Sequence, residues 1–119
     1  MTTDNLLEET LHKMEYNNKQ ENDVDWVGSR DGKYAINWNQ FKAIGNIKYD
    51  SGFGGQEIAP DLVIVFKDGT WLERHEYDGS EWWEYKETPQ RQKEATPFTK
   101  IKSDYSDSID DLNIRNDNT

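Results

Sequence analysis

Three Asp-Gly pairs constrain the fold of this chain more than any other feature of its sequence. The pairs are Asp31-Gly32, Asp68-Gly69 and Asp78-Gly79. Each pair separates two runs of β-prone residues, and both residue types tolerate positive φ, so each pair signals a β-hairpin. The first pair predicts a hairpin that joins residues 25–29 to 33–36. The other two predict a three-stranded meander over residues 62–67, 70–77 and 81–87.

Two further segments carry helix signals. Residues 4–20 place apolar side chains on one stripe, with Thr3 or Asp4 as the cap and with Glu8 and Glu9 near the positive end of the helix dipole. Residues 38–48 follow Asn37, which is spaced from Gln40 as in a capping box. Helices and hairpins in this order predict an α+β fold, in which two helices pack on an antiparallel sheet made of the hairpin and the meander.

The length of 119 residues suits one domain. We expect a single α+β domain over residues 1–89 and a polar C-terminal tail over 90–119, because the β pattern stops after Pro89. For the tail, disorder is favoured over a short helix near 106–113. Residues 50–60 form a glycine-rich loop, in which Phe53 is either a plug into the core or an exposed anchor.

The chain has no cysteine, which excludes disulfides, thiolate metal sites and cysteine nucleophiles. Residues 1–22 lack the apolar stretch of a signal peptide, and the longest apolar run, 62–66, is too short to cross a bilayer. We therefore expect a cytoplasmic protein with no membrane partner.

The formal net charge is −10. Phosphate backbones and anionic lipids repel such a chain, so direct nucleic-acid binding is disfavoured. The charge is explained either by solubility alone or by a partner with a basic surface, and composition does not choose between them.

The meander places several glutamates opposite one another if both of its turns have two residues. The predicted cross-strand pairs are Phe66–Trp71, Ile64–Glu73, Leu62–His75, His75–Trp82, Glu73–Glu84 and Glu76–Glu81. Like charges directly opposed in a sheet are destabilising, and folding alone offers little reason to place them so. A three-residue turn with a bulged glycine would shift this register and separate the pairs.

Half of the excess charge lies in residues 61–89, which contain eight acidic residues and three basic residues. A stiff sheet that carries spaced carboxylates resembles a phosphate backbone, and is suited to bind clusters of Lys and Arg. The plainer interpretation is an ordinary solvated sheet face.

The adjacent Trp82 and Trp83 must point to opposite faces of a strand, so one of them is expected to be partly exposed. Arg74 is expected opposite Trp83, where it would stack on the ring. An exposed tryptophan with a rim of acidic residues is typical of an interface hot spot. The residues predicted to bind a partner are Glu73, Glu76, Asp78, Glu81, Trp82 and Glu84.

Signals for catalysis are weak. His75 with Glu73, Glu76 and Glu84 could hold a divalent cation or act in acid–base chemistry, but nothing marks a nucleophile or a substrate site. Residues 52–55 lack the Lys-Ser/Thr of a phosphate loop, and residues 104–111 lack the spacing of an EF-hand. We expect no catalytic residue, no metal and no cofactor, and hence a binding protein rather than an enzyme.

Three segments carry a resemblance: WVGSRDGKY at 26–34, YDSGFGGQEI at 49–58 and EYDGSEWWE at 76–84. In these the chain resembles small proteins encoded by phages and prophages of Gram-positive bacteria. Within that group its size, charge and layout are similar to those of anti-CRISPR proteins. The resemblance implies an inhibitor in the bacterial host that binds a basic nucleic-acid-binding surface of an RNA-guided CRISPR nuclease, with DNA mimicry as the implied mechanism. It assigns no binding residue.

Two other functions stay open on the sequence. One is a sugar-binding or virion-associated module that uses exposed tryptophan rings. The other is a metal-assisted hydrolase centred on His75. The oligomeric state is also left open.

Overall fold

The computed structural model describes residues 3–52 and 54–114, and Phe53, the predicted plug or anchor, lies outside them. The chain divides into two compact units, Met1–Thr88 and Pro89–Thr119. Within the described residues, no helix combines the length and the apolar character needed to cross a membrane.

The first unit is an α+β structure, as predicted. Its elements in chain order are β1 Thr3–Asn5, α1 Leu6–Tyr16, β2 Val24–Ser29, β3 Ala35–Ile36, α2 Trp38–Gly45, β4 Lys48–Asp50, β5 Leu62–Phe66, β6 Trp71–Tyr77 and β7 Ser80–Lys86. The predicted hairpin and meander join in one five-stranded antiparallel sheet, in the order β3-β2-β5-β6-β7. Strands β1 and β4 form a separate two-stranded sheet.

Helix α1 begins later and ends earlier than the predicted range of residues 4–20. Its cap is Asn5, whose side chain accepts a hydrogen bond from the backbone N–H of Glu8. Neither Thr3 nor Asp4 caps the helix, because both belong to β1 and pair with β4. The helix ends at Tyr16, and Asn18 just beyond it has a positive φ of 59°.

Helix α2 confirms the capping box. The side chain of Asn37 accepts from the backbone N–H of Gln40, and the side chain of Gln40 accepts from the backbone N–H of Asn37. Both bonds satisfy donors that the first turn of a helix leaves without partners. The helix stops at Gly45 rather than reaching residue 48, and the chain continues into β4.

The first turn of the meander overturns the predicted register. The backbone N–H of Phe66 donates to Thr70 O at 2.9 Å, and Gly69 has a φ of +89°. This is a three-residue loop with glycine in its left-handed position, one residue longer than predicted. Trp71 therefore lies opposite Val65, and Glu73 lies opposite Val63.

The second turn follows the prediction. Asp78 and Gly79 both have positive φ, at 52° and 86°, as a two-residue hairpin turn requires. The register sets Glu73 opposite Glu84, and Glu76 opposite Glu81. The predicted like-charge pairs are therefore real.

One face of the five-stranded sheet packs on both helices. Ile64 and Leu72 are paired across β5 and β6 and are fully buried, and Trp83 extends this layer on β7. Met14 of α1 and Phe41 of α2 complete the same apolar cluster. The strand alternation that buries Leu72 also directs Arg74 towards this side of the sheet, and this arrangement positions the site described below.

The second unit contains one helix among its described residues, α3 Ile109–Ile114. The side chain of Asn113 accepts from the backbone N–H of Lys100 and donates to its carbonyl oxygen, each at 3.1 Å. These bonds connect α3 to the segment before it. The helix lies close to residues 106–113, where a short helix was the alternative to a disordered tail.

Candidate functional site

Two of the predicted partner-binding residues, Glu73 and Glu84, surround a histidine. The Nε2 atom of His75 lies 2.7 Å from Glu73 Oε2 and 3.2 Å from Glu84 Oε2. The indole N–H of Trp71 also donates to Glu73, and Lys86 pairs with Glu84 at 3.3 Å. Burial alone would raise the pKa of Glu73, but the hydrogen bonds with Trp71 and His75 hold it below its usual value.

A third predicted residue, Glu81, lies inside the protein. Its carboxylate accepts from the Nη2 of Arg74 at 2.9 Å, and neither side chain has any solvent exposure. The backbone N–H groups of Glu57 and Ile58 also donate to it, at 2.6 Å and 3.2 Å. A carboxylate with this many internal donors anchors the loop before β5, and it is not available to a partner.

The guanidinium of Arg74 is enclosed on every side. It stacks 4.7 Å from the ring centre of Trp83, as the predicted strand pairing implied, and it donates to the hydroxyl of Tyr49 at 3.0 Å. Glu9 lies 3.5 Å away. Burial would lower the pKa of Arg74, but Tyr49, Glu9 and Glu81 together raise it above its ordinary value.

These contacts explain how the fold accommodates the opposed glutamates. The sequence predicted the pairs but not this explanation. Glu73 and Glu84 share His75, and Glu81 opposite Glu76 is neutralised by Arg74. The like-charge pairs are therefore tolerated within the fold, because each has a cationic or polar partner. Glu76 and Asp78 remain exposed at the second turn, where Glu76 accepts from the backbone N–H of Gly79. Partner binding by the exposed members of this set stays a prediction.

A wide groove lies beside β7, the last strand of the sheet. It has a volume of about 890 Å³ and lies between α1 and the two adjacent tryptophans Trp82 and Trp83. Ligand sites commonly have volumes of about 300–1,000 Å³, so the groove is large enough for a peptide or a side-chain cluster. Four carboxylates and one lysine lie among its lining residues, namely Asp4, Glu8, Glu9, Glu15 and Lys13.

Helix α1 contributes an exposed stripe to this groove. Glu8 and Glu15 are separated by two helical turns, so they lie on one side of the helix at about 10 Å along its axis. Leu11 and His12 lie between them, and all four side chains are exposed. We term this set the α1 stripe. The sequence had assigned Glu8 only to the helix dipole, because nothing in it showed that this side of the helix stays uncovered.

The back wall of the groove is rigid. The indole N–H of the buried Trp83 donates to the hydroxyl of Thr10 at 2.9 Å, and that hydroxyl donates to Leu6 O at 2.7 Å. Glu9 beside them is bonded to Tyr49 and Arg74. Burial raises the pKa of Glu9 despite these partners. The wall thus joins α1 to β6 and β7 and fixes the position of the groove.

Trp82 is the predicted contact residue that the structure brings to the groove. It points to the opposite face of the sheet from Trp83, as the alternation requires, and 36% of it is exposed. Trp82 thus lines the groove at the edge of the sheet, with its ring on the other face from the carboxylates of α1. The acidic residues that line the groove belong to α1 and β1, and none of them belongs to the meander.

The described residues contain no group of three acidic or histidine side chains arranged to hold a metal ion. His75 contacts two of the three glutamates that were considered with it as metal ligands, Glu73 and Glu84. The third, Glu76, extends from the opposite face of the same strand. His12 lies on the polar side of α1, within the groove.

Comparisons of the chain with protein-family models, with curated proteins and with solved structures found no match.

Proposed function

We propose that this protein is an inhibitor that binds a cationic surface of another protein in the groove between α1 and β7. The observation that carries the proposal is that exposed Glu8 and Glu15 and the partly exposed Trp82 all line one groove at the edge of the sheet. Complementary charge accelerates association and selects partners. An aromatic ring that becomes buried on binding supplies binding energy. A net charge of −10 adds long-range attraction for a basic partner.

Cationic side chains suit both components of the groove. A Lys or Arg that enters it meets carboxylates from α1, and an Arg can also stack on the face of Trp82. Anionic ligands such as nucleic acids and acidic peptides would meet repulsion from the same carboxylates. The groove therefore favours a basic protein segment over nucleic acid.

Strongly basic protein surfaces are most often those that grip phosphate backbones. The proposed partner is accordingly a nucleic-acid-binding protein of the bacterial host. The resemblance to anti-CRISPR proteins narrows the proposal to an RNA-guided CRISPR nuclease, whose DNA-reading arginines would be occupied. In this form of DNA mimicry the contacts come from the α1 stripe and Trp82, and not from Glu81 or from the glutamates around His75.

Charge reversal on the α1 stripe tests the proposal. The variant Glu8→Lys/Glu15→Lys is expected to weaken binding to an RNA-guided nuclease by about tenfold or more, and to restore DNA cleavage by that nuclease. The matched control is Asp25→Lys/Asp61→Lys, which makes the same change of net charge at exposed positions outside the groove lining. Binding should also weaken as salt rises from about 0.1 M to 1 M, since the screening length falls from about 10 Å to 3 Å.

Equal losses in the two variants would show that only total charge matters, and the groove would then not be the contact surface. Tight binding by the α1 variant, with inhibition unchanged, would contradict the proposed function.

A further inference from the structure

Strand β7 is an edge of the five-stranded sheet. It pairs with β6 on one side, and no other described strand pairs with its opposite side. Tyr77 and Ser80 flank the two-residue turn and form a hydrogen-bonded pair, so alternate residues of β7 direct their backbone groups towards β6. The backbone groups of Glu81, Trp83 and Tyr85 therefore point away from the sheet. The outward N–H of Glu81 donates to Ser51 O at 2.8 Å.

The loop at Ser51 and the inward-pointing Glu81 protect the start of this edge, but the part from Trp82 to Lys86 lacks the devices that usually prevent strand addition. Protected edges carry a proline, a bulge or several lysines, or they are very short. Strand β7 has seven residues, Ser-Glu-Trp-Trp-Glu-Tyr-Lys, with no proline and one lysine at its end. Its pairing with β6 runs over all seven residues without a shift in register. The outward backbone groups of Trp83 and Tyr85 are therefore held in a regular, extended geometry.

The edge and the acidic groove coincide. Trp82 and Trp83 lie on the edge strand and also line the groove, whose other wall is the α1 stripe. Side chains of a strand added beside β7 would alternate between the two faces of the sheet. One set would point towards Trp83 and the carboxylates of α1, and the other would point towards Trp82.

We propose that the groove binds an extended basic segment of the partner protein, which adds to the sheet as a strand beside β7. Backbone hydrogen bonds to Trp83 and Tyr85 would supply affinity, and alternate Lys or Arg side chains would reach Glu8 and Glu15. This inference rests on the proposed function and specifies how the partner is held. A second copy of the chain is a poor occupant, because each copy carries a net charge of −10.

A synthetic octapeptide of alternating lysine and valine tests the inference with the full-length protein. In such a peptide all lysines share one face, and the backbone groups of lysines and valines point to opposite edges. Two derivatives are compared with the parent, one N-methylated at every lysine and the other at every valine. N-methylation removes the donor, so the derivative methylated on the edge that meets β7 should bind at least about tenfold more weakly. The other derivative should stay within about threefold of the parent.

Equal binding of the two derivatives, or equal loss, would overturn strand addition. If the parent peptide failed to bind while the nuclease bound through Glu8 and Glu15, strand addition would again be wrong and the proposed function would stand. If charge reversal of those glutamates left nuclease binding intact, both the proposed function and strand addition would be wrong. Dimerisation of the peptide-free chain through β7, detected by sedimentation and abolished by Tyr85→Pro, would instead identify a second copy as the occupant and overturn the proposal.

Discussion

Arg74 and Glu81 form an ion pair at 2.9 Å, with both side chains fully shielded from solvent. The pair lies between the sheet and α1, where Trp83 stacks on the guanidinium. Since Glu81 also accepts two backbone N–H groups from residues 57 and 58, the pair connects the loop before β5 to the meander. Trp83 and Glu9, which line the groove, both contact the guanidinium of this pair.

Removal of one partner of this pair should be strongly destabilising. In Glu81→Ala the buried guanidinium loses its closest carboxylate, and breaking such a pair costs about 3–5 kcal/mol in the free energy of unfolding. Urea denaturation measures this cost. Glu84→Ala is the matched control on the same strand, where a more exposed glutamate should contribute less than about 1 kcal/mol. Similar losses in the two variants would contradict the structural role assigned to Glu81.

Thr10→Val should test the hydrogen bond between α1 and β7, although it also removes the bond from the Thr10 hydroxyl to Leu6 O. Valine has nearly the same shape as threonine, but it leaves the indole N–H of Trp83 buried without an acceptor. The expected cost is about 1–3 kcal/mol in the free energy of unfolding. Thr96→Val, at an exposed position, should change stability by less than about 0.5 kcal/mol. A neutral effect of Thr10→Val would show that the bond does not hold α1 against the sheet.

The pair between Lys19 and Asp68 should contribute stability that depends on pH. The hydrogen bond from Lys19 lowers the pKa of Asp68 well below its ordinary value. A depressed pKa stabilises the fold above the unfolded-state pKa, which is about 3.9 for aspartate, and this contribution is lost as the pH falls through the folded-state value.

Asp68→Asn should therefore be less stable than the parent at pH 7, by less than about 1 kcal/mol because the aspartate is largely exposed. Thermal unfolding at a series of pH values should show that the difference between the melting temperatures of the two proteins shrinks as the pH falls below about 4. A difference that stays constant into acid would mean that the ion pair is not its cause.

Trp82→Ala should weaken binding of the partner without unfolding the protein. The ring is exposed at the rim of the groove, and truncation of a hot-spot tryptophan typically costs about 2 kcal/mol, close to thirtyfold in Kd. Tyr34→Ala is the control, because that ring is also exposed but does not line the groove. Surface plasmon resonance with the nuclease gives both values.

The same variant separates the proposed function from a sugar-binding module. Glycan binding that disappears in Trp82→Ala but is unchanged by charge reversal of Glu8 and Glu15 would support the sugar-binding alternative. Loss of nuclease binding in both variants would support the acidic groove.

The hairpins show what could be predicted from this sequence. Asp78-Gly79 gave both the turn and its register, because two successive residues with positive φ fit only a short list of hairpin turns. Asp68-Gly69 gave the turn but not its register. Asp-Gly also suits a three-residue loop with glycine in third position, and the dipeptide alone does not show which loop forms.

The candidate site was harder to predict than the fold. Glu81 alternates with polar and aromatic neighbours as a surface residue would, and only the side chain of Arg74 facing it explains why it is buried. The α1 stripe depends on which side of a helix stays uncovered, and that follows from tertiary packing rather than from periodicity. Alternation predicted correctly that one of Trp82 and Trp83 would be partly exposed, and only the structure shows that it is Trp82.

The indole N–H signals of the tryptophans test the central claim directly. In an NMR titration of the full-length protein with the lysine–valine octapeptide, the signals of Trp82 and Trp83 should shift, because both residues line the groove and the added strand would lie beside them. The signal of Trp38 should stay unchanged, since its N–H donates to Glu21 away from the groove lining. Shifts at Trp38 with Trp82 and Trp83 unmoved would place the contact surface elsewhere and contradict the acidic groove as the binding site.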